Sequence, residues 1–118
     1  MKMGKTFEEL DVWIRSKTLA VNICRAFSDC KDWGFKDQIT RSAVSVPSNI
    51  AEGAERNGSK EFIQFLGYAK GSLGELRTQM MIGAELEYFN ETQSKIWIAE
   101  SRELSKMLHG LIKSLRDS

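Results

Sequence analysis

Arg41-Ser-Ala-Val-Ser-Val-Pro-Ser-Asn-Ile-Ala-Glu-Gly-Ala-Glu-Arg56 decides how this 118-residue chain folds. The stretch carries a proline, three serines, an asparagine and a glycine, yet its apolar residues keep helical time. Ile39, Ala43, Val46, Ile50 and Ala54 recur every three or four residues and make one apolar face. Arg41, Ser45, Ser48, Glu52 and Arg56 recur at the same spacing and make a polar stripe of two cations, a carboxylate and two hydroxyls. Pro47 removes a donor and crowds the carbonyl of Ala43, which costs a mid-helix position about 3 kcal/mol. The chain therefore either bends at Pro47 or starts a new helix there.

Working outward, Asn57-Gly-Ser59 stops one helix and starts another, with Asn57 or Gly58 suited to a left-handed cap and Ser59 to an N-cap. The spacing predicts a second helix over about 36–56 and a third over about 60–87. Phe62, Phe65, Leu66, Ala69, Leu73, Leu76 and Met80 form the core face of the third helix. Gly67, Gly71 and Gly74 fall on another face of it, where missing side chains let a second backbone come close. Upstream, Thr6 and Glu9 make a capping box that starts the first helix near residue 7. Leu10, Trp13, Ile14, Ala20, Val21, Cys24 and Phe27 are its expected apolar stripe. Trp33 and Phe35 flank Gly34 and are expected to anchor the following loop. Downstream, Asn90 and Gln93 cap a last helix over about 91–115, with Ile96, Trp97, Leu104, Leu108, Leu111 and Leu115 as its seam. Four helices of about 20–27 residues with short connections predict an all-α, antiparallel up-down-up-down four-helix bundle forming one domain, residues 1–118.

Composition narrows the function classes. Apolar residues are 42% and charged residues 28%, ordinary for a soluble domain. Seventeen Lys and Arg against 16 Asp and Glu leave +1, which gives no overall warrant for non-specific binding to nucleic acid or membrane. The two cysteines lack the company a zinc site needs and are expected as free thiols in a reducing compartment. No apolar run has the length of a signal peptide or of a membrane span, so a cytoplasmic protein with no membrane association is expected. A di-metal bundle site needs Glu-x-x-His, but the residue three before the single histidine, His109, is Lys106. No metal, cofactor or catalytic residue is expected.

The remaining constellation is polar and helical. Gln38, Arg41, Ser45, Ser48, Asn49, Glu52 and Arg56 lie on the second helix; Gln64, Tyr68, Ser72, Glu75 and Gln79 step along the third beside Gly71. Facing one another, the stripes would form a network with Arg41 or Arg56 paired to Glu52 or Glu75. Such a network either fixes helix register, builds a subunit interface, or binds a ligand or nucleic acid. Glu52 and Glu75 as a catalytic acid–base pair is the least supported alternative, since it needs both in a solvent-reachable cleft.

The run Gln38-x-x-Arg41-Ser-Ala-x-Ser45-Val-Pro-Ser-Asn49-Ile-Ala-Glu-Gly53-x-x-Arg56 resembles the signature of the four-helix-bundle proteins encoded in 23S rRNA intervening sequences. Ser59-x-x-Phe62-x-x-Phe65-Leu-x-x-Ala69-x-Gly71-Ser-x-x-Glu75-Leu-x-Thr-Gln79 resembles that family's next element. Phe7-x-x-Leu10-x-Val-Trp13 and Trp33-Gly34-Phe35 extend the likeness over nearly the whole chain. The accessory variability determinant of diversity-generating retroelements is related to the same family. The resemblance implies a bundle whose second helix continues through Pro47 with a bend, and an assembly of five copies around a central channel. It also implies a non-enzymatic scaffold or binding module whose partners are its own copies and RNA, DNA or a nucleic-acid-processing protein. A protein-binding or structural oligomer with no nucleic-acid role is the alternative, and the near-zero net charge favours it.

Overall fold

The computed structural model describes residues 6–118. Residues 1–5, on which part of the expectation of no leader rests, lie outside them. Four helices and no strand make up the described residues: α1 (Asp11–Ala26), α2 (Trp33–Ala54), α3 (Ser59–Glu85) and α4 (Glu91–Asp117). They form an elongated body of 44 × 21 × 20 Å around one core. Ile23 and Phe27 of α1, Ile39 and Ile50 of α2, Leu66 and Leu73 of α3, and Leu104 and Leu108 of α4 are all buried there.

The helix breaks follow local chemistry. The Thr6 backbone N–H donates to Glu9 Oε2 at 3.3 Å, but this box closes only a 3-10 turn over Phe7–Glu9. Leu10 is extended at ψ 125°, so α1 begins at Asp11 rather than near residue 7 and is 16 residues long. Asp32 accepts the Phe35 N–H at 3.2 Å and starts α2 at Trp33, ahead of the predicted start. Gly58 takes φ +118° and ψ 164°, a conformation kept for glycine, and it rather than Ser59 is the N-cap of α3. Asn90 Oδ1 accepts the Gln93 N–H at 2.7 Å and opens α4 as expected.

α2 runs as one helix through Pro47, whose ring is buried. Its missing N–H leaves the Ala43 carbonyl without a helical donor. Along α2 and α3, side chains meet in opposite sequence order: Phe35 with Gly83, Ser45 with Ser72, Gly53 with Phe62 and Phe65. Arg77 of α3 reaches Ser101 of α4, and Arg15 of α1 holds Glu100 of α4 through both guanidinium and carboxylate forks, with Nε to Oε2 at 3.0 Å.

Three expected core positions are exposed instead. Ile14 and Val21 are 40% and 41% exposed, and α1 buries Val12, Ser16, Leu19 and Ile23 in their place. The residues Val12-Trp-Ile14 and Leu19-Ala-Val21 put apolar groups on every side, so the stripe had two possible phases. Ile96 is 58% exposed because the α4 seam runs through Ser94, Trp97 and Ser101. Trp33 is 74% exposed and makes no ring contact among the described residues, whereas Phe35 packs against Phe27 and Tyr88.

Candidate interaction face

The polar stripes of α2 and α3 lie outside the core. Gln38, Arg41, Ser48, Glu52 and Arg56 are exposed, as are Tyr68, Gly71 and Glu75; Ser45, Asn49, Ser72 and Gln79 are half-buried where the helices meet. The stripes join at one point, Ser45 Oγ to Ser72 Oγ at 2.6 Å. Asn49 turns back on its own helix, donating from Nδ2 to the Ser45 carbonyl at 2.8 Å.

The expected charge network is only partly formed. Arg56 pairs with Glu52 at 3.3 Å along α2 and with Glu61 at 3.7 Å across the turn, and its guanidinium stands 4.9 Å over the Phe65 ring. All three charged partners are about half exposed, so the pairs add little beyond fixing the α2–α3 corner. Among the described residues, Arg41 and Glu75 form no ion pair. Gln64 Nε2 donates to Tyr68 Oη at 2.7 Å, and Gln79 Oε1 is buried with no donor.

The glycines settle which way this face looks. Among the described residues, a Cβ on Gly67, Gly71 or Gly74 would meet nothing within 4 Å, so none of their backbone fills the gap these glycines leave. Gly53 and Gly83 instead take the close approaches inside the bundle, under Phe65 and Phe62 and under Phe89 and Phe35. The outer face of α3 is thus a smooth strip of bare helix beside exposed Tyr68, Met81 and Ile82.

Residues 8–110 match the family described as 23S rRNA-intervening sequence protein. The chain belongs to that family. It is also similar to a crystal structure of a protein of unknown function from the S23 ribosomal protein family of Bacteroides thetaiotaomicron. The two share 26% identity over 86% of this chain and 98% of that one, with a TM-score of 0.80. Among curated proteins, none matches.

This family member carries a second polar surface, on α4, that net charge conceals. Arg102, Lys106, His109, Lys113 and Arg116 recur at helical spacing on one side of α4. A count over the whole chain averages them against carboxylates elsewhere; the spacing itself carried the signal. No helix among the described residues is long and apolar enough to cross a membrane.

Proposed function

We propose that this family member is a non-enzymatic, homo-oligomeric four-helix-bundle scaffold, a homopentamer, that serves as a binding module for RNA or a nucleic-acid-processing protein. The observation that carries the assembly is the outward strip of Gly67, Gly71 and Gly74, with nothing among the described residues within 4 Å of a Cβ at any of them. Bare glycines in a helix interior each cost about 1 kcal/mol against alanine, a cost a neighbouring copy packed on the strip would offset. Arg41 and Glu75, without ion-pair partners among the described residues, flank it and gain partners in trans. The number five rests on the resemblance of the α2 signature to the family's.

The absence of catalysis in this proposal draws support from the carboxylates. Glu52 is tied to Arg56 on an open helix surface, and Glu75 is exposed without a paired acid. Molar mass by light scattering at micromolar protein and two salt concentrations tests the assembly. A five-subunit mass at both is expected, and a monomer at both sinks it. Arg41→Glu then separates roles: a smaller mass with unchanged unfolding marks a subunit contact, whereas lost stability marks a brace within the chain.

A further inference from the structure

Lys70 and Arg77 of α3 and Arg102, Ser105, Lys106 and His109 of α4 line one open cleft of about 530 Å³. From this cleft we infer a second binding site, one that takes the phosphodiester backbone of a nucleic-acid duplex. It deepens the RNA-binding half of the proposed function, and its α3 side adjoins the glycine strip, since Lys70 stands three residues from Gly67 and four from Gly74, and Arg77 three from Gly74.

Four cations meet in the cleft, and no carboxylate lines it. None of the four is in an ion pair among the described residues. Arg77 is held in place by neutral acceptors: Nε donates to Ser101 Oγ at 2.8 Å and Nη2 to the Ser101 carbonyl at 3.1 Å. Ser101 is fully buried, and its hydroxyl donates a hydrogen bond to the Ile98 carbonyl at 2.7 Å. The guanidinium is therefore oriented while its charge stays uncompensated, and its remaining N–H groups are free for an anion.

Charge is sorted across α4. Glu100 and Glu103 act on Arg15 of α1, raising its pKa, chiefly through the Glu100 hydrogen bonds. The opposite side of α4 holds the cations. Lys113 and Arg116 prolong the row beyond the cleft, so that from Arg102 to Arg116 it spans about 21 Å at 1.5 Å per residue. Arg102 with Lys106 and Lys113 with Arg116 are like charges three and four residues apart and repel, and among these four only Lys113 has an acid, Asp117, four residues on. A polyanion laid along the row removes the repulsion and releases its own counterions.

The lining also selects among polyanions. No apolar side chain lines the cleft, so it offers no pocket for the anchor residues of an acidic peptide. No Phe, Tyr or Trp lines it, and the His109 imidazole is its one ring, so the successive unstacked bases of a single strand find no continuous platform. A row of point charges and forks suits regularly spaced phosphates and carries no base readout.

Fluorescence anisotropy with a labelled RNA duplex of about 20 base pairs, between about 50 and 200 mM salt, tests the site. The unaltered protein is expected to bind at the lower salt and to lose at least about tenfold in affinity at the higher. R102E/K106E is expected to lose at least about tenfold at low salt, with circular dichroism unchanged. Lys17→Glu with Arg25→Glu makes the same change in net charge on α1 and is expected to stay within about twofold. Equal losses from the two pairs, no loss from R102E/K106E, or no binding at low salt would each overturn the site. If R102E/K106E does not fold, R102Q/K106Q gives the same reading. A DNA duplex bound equally assigns the shared phosphodiester chemistry, and preference for RNA names RNA; polyglutamate competing as well as RNA overturns both. Light scattering on the same samples keeps the two proposals apart, since a monomer that still binds duplex loses only the assembly.

Discussion

Gly83 and Gly71 stand on the same helix and do opposite things. A Cβ on Gly83 would lie 2.9 Å from Phe89 Cε1 and 3.3 Å from Phe35 Cζ, whereas one on Gly71 would meet nothing within 4 Å. Gly53 of α2 is the tighter partner of Gly83, and Gly67 and Gly74 are the open partners of Gly71. Residue type is constant across the five; phase relative to the core differs. An inward glycine is required by this chain's own packing, while an outward one costs helix stability and has to be accounted for by something outside the chain.

The largest effect expected from breaking that contrast is at Gly53. An added Cβ would sit 2.6 Å from Phe65 Cβ and 3.3 Å from the Phe62 carbonyl, both fixed to the α3 backbone. Gly53→Ala should therefore lower stability by about 2–3 kcal/mol in urea unfolding, even after the gain in helix propensity. A neutral result would mean that α2 and α3 separate freely at this end. Gly83→Ala should cost less, about 1 kcal/mol, because the obstacles are ring edges of Phe89 and Phe35, which can turn.

Gly71→Ala should go the other way. With open space around it, the alanine should add about 0.5–1 kcal/mol to the stability of the isolated fold. If the strip packs against another copy, the same substitution should lower the mass seen by light scattering on dilution. Greater stability with unchanged assembly at every dilution would remove the strip from the interface and leave Gly71 as a tolerated surface residue.

The contrast also shows how far sequence pattern reaches. The phase of α2 was readable because Ile39, Ala43, Val46 and Ile50 are its regularly spaced apolar residues, and all four are buried. The phase of α1 was not: Val12, Trp13 and Ile14 are consecutive and apolar, so burial of Val12 over Ile14 is decided by contacts with the other helices. Spacing likewise placed Arg41, Ser45 and Glu52 on one face and Tyr68, Ser72 and Glu75 on another, but periodicity does not say whether a polar face looks inward. Of the network that was expected, the Arg56–Glu52 pair formed along α2, and Ser45–Ser72 is the contact made between the two stripes. The α3–α4 cations were hidden by a different route, since a net charge of +1 is a sum and the cleft is a separation.

The smallest effect sharpens the inward half of the contrast, at the end of the bundle where Gly83 is closed over by aromatic rings. There the loop before α2 is clasped to the loop after α3: Tyr88 Oη donates to Asp32 Oδ2 at 2.6 Å, and the Tyr88 ring meets Phe35 edge-on at 5.1 Å. The Tyr88 hydrogen bond, followed by the Phe35 N–H, holds the Asp32 carboxyl below its ordinary 3.8; the same bond to Asp32 pushes the Tyr88 phenol above 10.0. Asp32 therefore contributes stability that is complete above its ordinary range and is lost as pH falls through its lowered value. Tyr88 contributes stability that is complete below its ordinary range and is lost as pH rises through its raised value. Tyr88→Phe keeps the ring and removes the hydroxyl. It should make the acid limb of melting temperature against pH shallower, remove the phenol's part of the alkaline limb, and leave the slope between them unchanged. Identical acid limbs in the two proteins would show that the Phe35 N–H alone sets Asp32, and that the rings around Gly83 close this end without the clasp.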